Sequence, residues 1–190
     1  MGYVTKKKRP KNSQLNSNSV YVLDASAIYN GVLTHNISGV KYIPQCVLEE
    51  VRGMMRGEEL IEEALLYEEL QTIVPDEVIL LEIKNQARVT GDIHDLSDCA
   101  LAVLAVAKSL HLKEFDVIIL SDDYDIQNLA THIGLVCKGI HWKGITSIHE
   151  YFWVCPGCGN KSKTQTDNCI ECGTKMKRKT HKKKIKKKKA

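Results

Sequence analysis

Carboxylates follow two apolar, strand-like runs of the 190-residue sequence. Asp24 comes directly after residues 20–23 (VYVL), and Asp122 and Asp123 come shortly after residues 117–120 (VIIL). Because the carboxyl ends of parallel strands meet at one edge of a sheet, acids at these positions can gather around a divalent metal ion that serves phosphodiester chemistry. The alternative is that each acid only caps the helix that follows it, since Asp is a favoured N-cap.

Four of the seven cysteines form two CxxC pairs, Cys155 with Cys158 and Cys169 with Cys172. Two such pairs complete a closed tetrahedral site of four thiolates, which predicts a structural zinc ion with no open position for catalysis. In a reducing compartment this spacing favours zinc over two disulfides. The remaining cysteines lie among apolar residues and are interpreted as small core side chains: Cys46, Cys99 and Cys137.

Charge is concentrated at the two ends of the chain. Residues 6–11 carry five Lys or Arg and residues 175–190 carry eleven, with no acid in either segment. All 23 acids and only 11 basic residues fall in residues 12–174, whose net charge is −12. Like-charged blocks repel themselves, so we expect both arms to be disordered and to bind a polyanion.

No run approaches the roughly 18–20 apolar residues of a membrane helix, and the N-terminal segment has no apolar signal-peptide core. We therefore expect a soluble intracellular protein with no membrane partner.

Apolar periodicity predicts alternating strands and helices. The predicted strands are residues 20–23, 117–120 and 134–137. The predicted helices are residues 44–70, broken at Gly53 and Gly57, and residues 75–91, 97–110 and 124–133. Strands separated by helices of this length predict an α/β fold with a parallel sheet covered by helices.

The sequence resembles the PIN-domain ribonucleases, and among them the Nob-type endonucleases, which join a PIN domain to a C-terminal zinc ribbon. The resemblance covers residues 20–174, between the two arms. The matching stretches are VLDASAIYNG, CVLEEVRG, TGDIHDLSDCALAVLAVA, ILSDDYDIQNLA, WVCPGCG and NCIECG.

The resemblance implies a catalytic set of acids, of which Asp24 and Asp123 hold Mg²⁺ or Mn²⁺. Asp24 is then the first acid, Glu50 the second, and Asp123 the fourth, with Asp122 beside it. The third position departs from the family pattern LSxxD, because Ala100 stands where an Asp belongs.

Three nearby acids are candidates to replace the missing carboxylate. Asp98 precedes position 100 by two residues, which is roughly 200° around a helix, so it cannot simply substitute. Asp92 and Asp95 fall in the preceding loop as auxiliary candidates.

The implied function is cleavage of precursor small-subunit ribosomal RNA at its mature 3′ end, on the precursor of the small ribosomal subunit and with assembly factors as partners. A cytoplasmic enzyme is expected. The alternative is a catalytically impaired RNA-binding assembly factor, which Ala100 favours and the retained acids oppose. A toxin-type PIN nuclease is disfavoured, because those chains generally lack a zinc ribbon.

Further residues are candidates for RNA contact. Trp142 could stack on unpaired bases, and Lys143, Lys161 and Lys163 could meet phosphates. The alternatives are that the aromatic residue packs the linker and that the lysines are solvated surface. The expected domains are a basic disordered arm (1–19), a PIN domain (20–141), a linker (142–150), a zinc ribbon (151–174) and a Lys-rich disordered tail (175–190).

Overall fold

A five-stranded parallel sheet forms the centre of the larger domain. The computed structural model describes residues 19–35, 37–52, 58–141, 145 and 147–184. The strands are β1 (Ser19–Leu23), β2 (Lys41–Pro44), β3 (Leu70–Ile73), β4 (Asp116–Leu120) and β5 (Val136–Lys138). Their spatial order is β3-β2-β1-β4-β5, so β1 and β4 lie side by side and end together.

Six helices connect or follow these strands within the described residues. They are α1 (Ala25–Tyr29), α2 (Gln45–Arg52), α3 (Glu58–Leu66), α4 (Glu77–Thr90), α5 (Asp98–Leu112) and α6 (Tyr124–His132). Residues 100–107 of α5 are all buried, as expected for a helix that is apolar on every side. This helix is the centre of the core that packs on the sheet.

The N-termini of α4, α5 and α6 are fixed by short polar side chains. Asp76 caps α4, Ser97 caps α5 and Asp123 caps α6, each by accepting from backbone N–H groups of the first turn. Gly91 ends α4 with φ of +82°, a left-handed conformation that favours glycine. The predicted boundaries of α4 and α6 agree with these caps.

The structure confirms the predicted α/β class and parallel sheet, but the sequence reading missed β2 and β3. The helix predicted over residues 44–70 was wrong at its end, because Leu70 begins β3. Both missed strands have four residues, and periodicity cannot separate so short an apolar run from the edge of a helix. Gly53 and Gly57 lie outside the described residues.

A second, antiparallel sheet follows the first domain. Its strands are β6 (Ser147–Val154), β7 (Lys161–Ser162) and β8 (Lys177–Lys184), in the order β7-β6-β8. A separate small core lies beside it, formed by Trp153, Cys155, Cys169 and Met176.

Two expected boundaries are corrected by this sheet. Residues 147–150, expected in the linker, are part of β6. The tail was expected to be disordered from residue 175, yet Lys177–Lys184 pairs with β6 along its whole length. Paired backbone groups, and side chains that accept cationic partners such as Glu150 and Tyr151, offset the repulsion among the lysines. Residues 1–18 and 185–190 lie outside the described part.

Within the described ranges, no helix is long and apolar enough to cross a membrane.

Candidate active-site cleft and cysteine cluster

A cleft of about 380 Å³ opens where β1 and β4 end. The four acids predicted for catalysis all line it. Its lining residues are Asp24, Ala25, Ser26, Tyr29, Glu50, Ser97, Cys99, Ala100, Asp122 and Asp123. The geometry therefore brings the first, second and fourth acids together with position 100, as the resemblance implied.

Asp24 is held in place by two hydroxyl groups. Its Oδ2 accepts from Ser26 Oγ at 2.7 Å and from Ser121 Oγ at 2.9 Å, and also from the backbone N–H of Ser26 at 3.3 Å. Ser121 is fully buried, so it is a fixed donor. Within the described chain, hydrogen bonds reach only Oδ2 of Asp24, which leaves Oδ1 for a ligand.

The two adjacent aspartates after β4 have different surroundings. Asp123 uses Oδ1 to cap α6, accepting from the N–H of Asp125 at 2.7 Å, and its Oδ2 has no hydrogen bond from the described residues. Asp122 is engaged on both oxygens, by Asn30 Nδ2 at 2.7 Å and the N–H of Ile140 at 2.8 Å. Asp123 is thus free to bind a ligand through one oxygen, whereas Asp122 joins the end of α1 to the segment after β5.

Glu50 reaches the cleft from α2. The hydroxyl of Tyr29 lies 3.4 Å from its Oε1. Burial raises the pKa of Tyr29, and the nearby Glu50 carboxylate raises it further. Tyr29 therefore keeps its proton and remains a donor toward Glu50.

Position 100 lies in the first turn of α5 and faces the cleft. Ala100 is 5% exposed, and its N–H donates to Ser97 Oγ at 3.1 Å. A methyl group offers no ligand atom, so position 100 does not supply the carboxylate that the resemblance implies there. Asp98 does not compensate: its side chain is 88% exposed and pairs with Lys84 at 2.9 Å.

The other two auxiliary candidates also lie outside the cleft lining. Asp92 is fully buried and accepts from Thr90 Oγ1 at 2.6 Å and from Asn128 Nδ2 at 3.0 Å. Asp95 pairs with Arg178. Both acids therefore serve the loop between α4 and α5 rather than the cleft.

The donor set of the cleft suits a hard divalent cation. Asp24 Oδ1, Asp123 Oδ2 and the Glu50 carboxylate are oxygen ligands of the kind that Mg²⁺ and Mn²⁺ prefer. These three carboxylates are not clustered tightly. Within the described ranges, only the cysteine cluster brings three or more Asp, Glu, His or Cys donor atoms within 4.8 Å of one another. An ion held by few carboxylates retains several water molecules.

The cysteine cluster has a complete and compact donor set. The sulfur atoms of Cys155, Cys158, Cys169 and Cys172 all lie within 4.8 Å of one another. Hydrogen bonds from Thr174 lower the pKa of Cys172 to about 6, and the bond from the Thr174 side chain has the largest effect. The lowered pKa favours the thiolate. Four soft donors that face one point fit a tetrahedral metal ion.

The predicted RNA-contact residues are only partly described. Lys161 and Lys163 line a groove of about 450 Å³ between the two domains, together with Phe152 and Lys183. Trp142 and Lys143 lie outside the described residues. A role of this groove in RNA contact stays a prediction.

Several polar residues around the site were missed by sequence reasoning. Asn30 holds Asp122, and Gln127 donates to the backbone carbonyl of Ser121 at 2.9 Å. Asn128 and Arg178 join the first domain to the second sheet. The sequence gives one indication of these contacts. Gln127 and Asn128 lie within the otherwise apolar helical run IQNLA, and polar side chains that are buried with such a run need hydrogen-bond partners.

Comparison with known proteins agrees with this architecture. Residues 21–110 match the family described as the PIN domain of ribonuclease. Endoribonuclease Nob1 of Pyrococcus abyssi is 33% identical over 158 residues, which are 82% of this chain and 91% of the relative. Endoribonuclease Nob1 of Archaeoglobus fulgidus is 32% identical over 158 residues, 82% of this chain and 87% of the relative.

A further relative, ribonuclease VapC1 of Thermoplasma acidophilum, is 30% identical over 160 residues, 84% of this chain and 77% of the relative. The parallel sheet and the matched segment are those of PIN-domain ribonucleases. Within that class, the chain belongs to the Nob1 family of endoribonucleases.

Proposed function

We propose that the protein is a metal-dependent endoribonuclease that cleaves precursor small-subunit ribosomal RNA at its mature 3′ end. The observation that supports this most directly is the cleft at the ends of β1 and β4, which gathers Asp24, Glu50 and Asp123 in a chain of the Nob1 family. The precursor of the small ribosomal subunit is then its site of action, in the cytoplasm and beside other assembly factors.

Asp24 and Asp123 are the proposed ligands of Mg²⁺ or Mn²⁺, each through its unbonded oxygen. When bound, the ion lowers the pKa of a bound water and neutralises charge on the scissile phosphate. Ser26 and Ser121 hold Asp24 in one orientation, so that its free oxygen points consistently into the cleft. Glu50, which reaches the cleft from α2, accepts a proton from the attacking water or holds that water in place.

The cysteine cluster is proposed to hold one structural Zn²⁺. All four donor positions come from the chain, so the ion has no open position for substrate. Its role is to fold the small second domain, whose core includes Cys155 and Cys169.

Ala100 favours a second candidate function, a catalytically impaired RNA-binding assembly factor. The missing carboxylate weakens the ion site without disturbing the fold, because the small side chain packs in a buried position on α5. RNA binding through lysines and aromatic residues does not depend on that carboxylate.

A cleavage assay separates the two functions. The chain and its Ala100→Asp variant would be incubated with precursor small-subunit RNA over a range of Mn²⁺ concentrations, with Asp24→Asn as the inactive control. Cleavage at one position by the unaltered chain supports the nuclease. RNA binding without cleavage by the unaltered chain supports the impaired assembly factor, whether or not Ala100→Asp restores cleavage.

A further inference from the structure

The C-terminal strand reaches back to the loop that leads into the cleft. We call residues 91–97, between α4 and α5, the entry loop. Arg178 of β8 donates from Nη2 to the backbone carbonyl of Gly91 at 3.1 Å, and its two Nη atoms donate to the two carboxylate oxygens of Asp95. A two-pronged contact between guanidinium and carboxylate fixes direction as well as distance.

Strand β6 supports this contact from the other side. The guanidinium group of Arg178 lies 3.8 Å from the centre of the Tyr151 ring. A Cβ atom placed on Gly91 would lie 2.7 Å from Tyr151 Cβ, so β6 and the entry loop are in close contact. The ring of His94, also in the entry loop, meets the Trp153 ring edge-on at 6.1 Å. The entry loop is therefore in contact with the second sheet at Gly91, His94 and Asp95.

Helix α6 is tied to the same sheet. Asn128 donates to the carbonyl of His149 at 2.8 Å and accepts from its N–H at 2.7 Å, and it also donates to Asp92 of the entry loop. Gln127 joins the carbonyl of Ser121 to the N–H of Ile145. Helix α6 thus has fixed polar partners on β6. The entry loop has its polar partners on α6 and β8.

The entry loop and α6 each include or adjoin a residue that lines the cleft. The entry loop ends at Ser97, which caps α5 and lines the cleft beside Ala100. Helix α6 begins at the cap Asp123. A shift of the entry loop would therefore move the first turn of α5 relative to Asp24 and Asp123.

We propose that Arg178 is a positioning residue for the cleft: it holds the entry loop through Asp95 and Gly91, and so couples folding of the cysteine domain to the geometry of the proposed ion site. The catalytic part of this inference rests on the proposed function, whereas the positioning part does not. Asp95, which the sequence suggested as an auxiliary ligand, acts instead as the anchor of this contact.

Amide hydrogen exchange of the full-length, zinc-loaded protein tests the positioning directly. Arg178→Ala should speed exchange of the amides of residues 92–101 by about three- to tenfold, because the entry loop then opens more often. Arg178→Lys should give a smaller change, since lysine cannot make the two-pronged contact. Lys179→Ala, which removes one positive charge from the neighbouring position of β8, is the matched control and should leave this exchange unchanged.

Equal exchange in Arg178→Ala and Lys179→Ala would overturn the proposal. Asp95→Asn removes the same contact from the side of the first domain and changes no residue of the cysteine domain. It therefore tests whether the contact holds the entry loop even if Arg178→Ala loses zinc or fails to fold. Faster exchange in Asp95→Asn supports the proposal, and unchanged exchange overturns it.

The kinetic test uses Ala100→Asp as the background. Adding Arg178→Ala should raise the Mn²⁺ concentration for half-maximal cleavage about threefold or more, with no larger change in the KM for RNA than Lys179→Ala causes. A change in KM alone would mean that Arg178 contacts RNA, and would overturn positioning. If Ala100→Asp cleaves nothing, the proposed function fails, while hydrogen exchange still decides whether Arg178 holds the entry loop.

Discussion

The cysteine cluster and the cleft differ in how closely their donor atoms lie and in how open they are to solvent. The cysteine cluster brings four like donors, from two CxxC pairs, within 4.8 Å of one another, and two of them are buried in the small core. The cleft gathers its acids from three separated segments of the chain and leaves them open to solvent on one side. A structural site is complete without its substrate, whereas a catalytic site must leave coordination positions for substrate and water.

The two sites should respond differently to substitution of one of their residues. Loss of any cysteine would remove a quarter of the donor set that we propose to bind zinc and to fold the second domain. The loss of an acid that we propose at Ala100 leaves the sheet and its core intact. Substitutions in the cleft should therefore change catalysis without unfolding the protein, whereas substitutions in the cysteine cluster should unfold the second domain.

The largest effect is expected from Cys155→Ser. Structural zinc contributes on the order of 10 kcal/mol to folding of small metal domains, so the second domain should lose its zinc and its fold. The parallel sheet should persist, because its core is separate. Elemental analysis and the NMR signals of Trp153 would measure both effects, with Cys137→Ser as the control outside the cluster. Full zinc content in Cys155→Ser would refute the assignment.

The second effect is at position 100. Ala100→Asp should increase Mn²⁺ affinity and the cleavage rate together, by roughly 100-fold in rate, since one fixed charged group at a reacting centre has an effect of this order. Ala100→Asn is the matched control without charge and should gain far less. Asp24→Asn in the Ala100→Asp background should abolish cleavage.

Single-turnover cleavage and metal titration would measure these changes. If the original chain cleaves at full rate and Ala100→Asp changes nothing, then Ala100 does not occupy the third acid position of the family.

A smaller effect is expected on RNA affinity. Lys177 and Lys179 alternate with Arg178 along β8 and therefore lie on the face turned away from the entry loop. Replacing both with Gln should reduce the slope of log K against log salt concentration by roughly 1, if each meets a phosphate of single-stranded RNA. The position of cleavage should not change. The double control is Lys108→Gln on α5 together with Lys113→Gln directly after it. Equal slopes in the two double variants would show that β8 is not engaged.

The smallest effect is a pH dependence of stability. Burial raises the pKa of Asp92 in the folded protein above that of the unfolded chain. The folded form then holds its proton where the unfolded form has lost it, so the free energy of unfolding should fall as pH rises from about 4 through the raised pKa. Asp92→Asn should remove this part of the slope. Urea unfolding at pH 5 and pH 8 would show it, and identical slopes in both proteins would contradict it.

Much of this architecture could be predicted from the sequence, because its signals are local. The apolar runs of β1 and β4, the cap residues Asp76, Ser97 and Asp123, and the two cysteine pairs each act within a few residues. The gathering of Asp24, Glu50 and Asp123 in one cleft agrees with what the resemblance implied, while their catalytic roles stay predictions.

The remaining features depend on distant partners. The repulsion among its lysines predicts a disordered tail where β8 lies, and only pairing with β6 explains why this segment is ordered. Arg178 could not be distinguished from its basic neighbours, since its partner Asp95 lies 83 positions earlier in the chain. The polar contacts of Asn128 with His149 likewise join segments that the sequence does not relate.

Strand β8 also protects the molecule from self-association. It is an edge of its sheet, with β6 on one side and no further strand from the described residues on the other. An open edge is a template for pairing with another chain, and a dense row of lysines prevents that pairing by repulsion between copies. Acetylation of these lysines, or a bound polyanion, would remove the repulsion. The charge that we propose to bind RNA would thus also keep free copies apart.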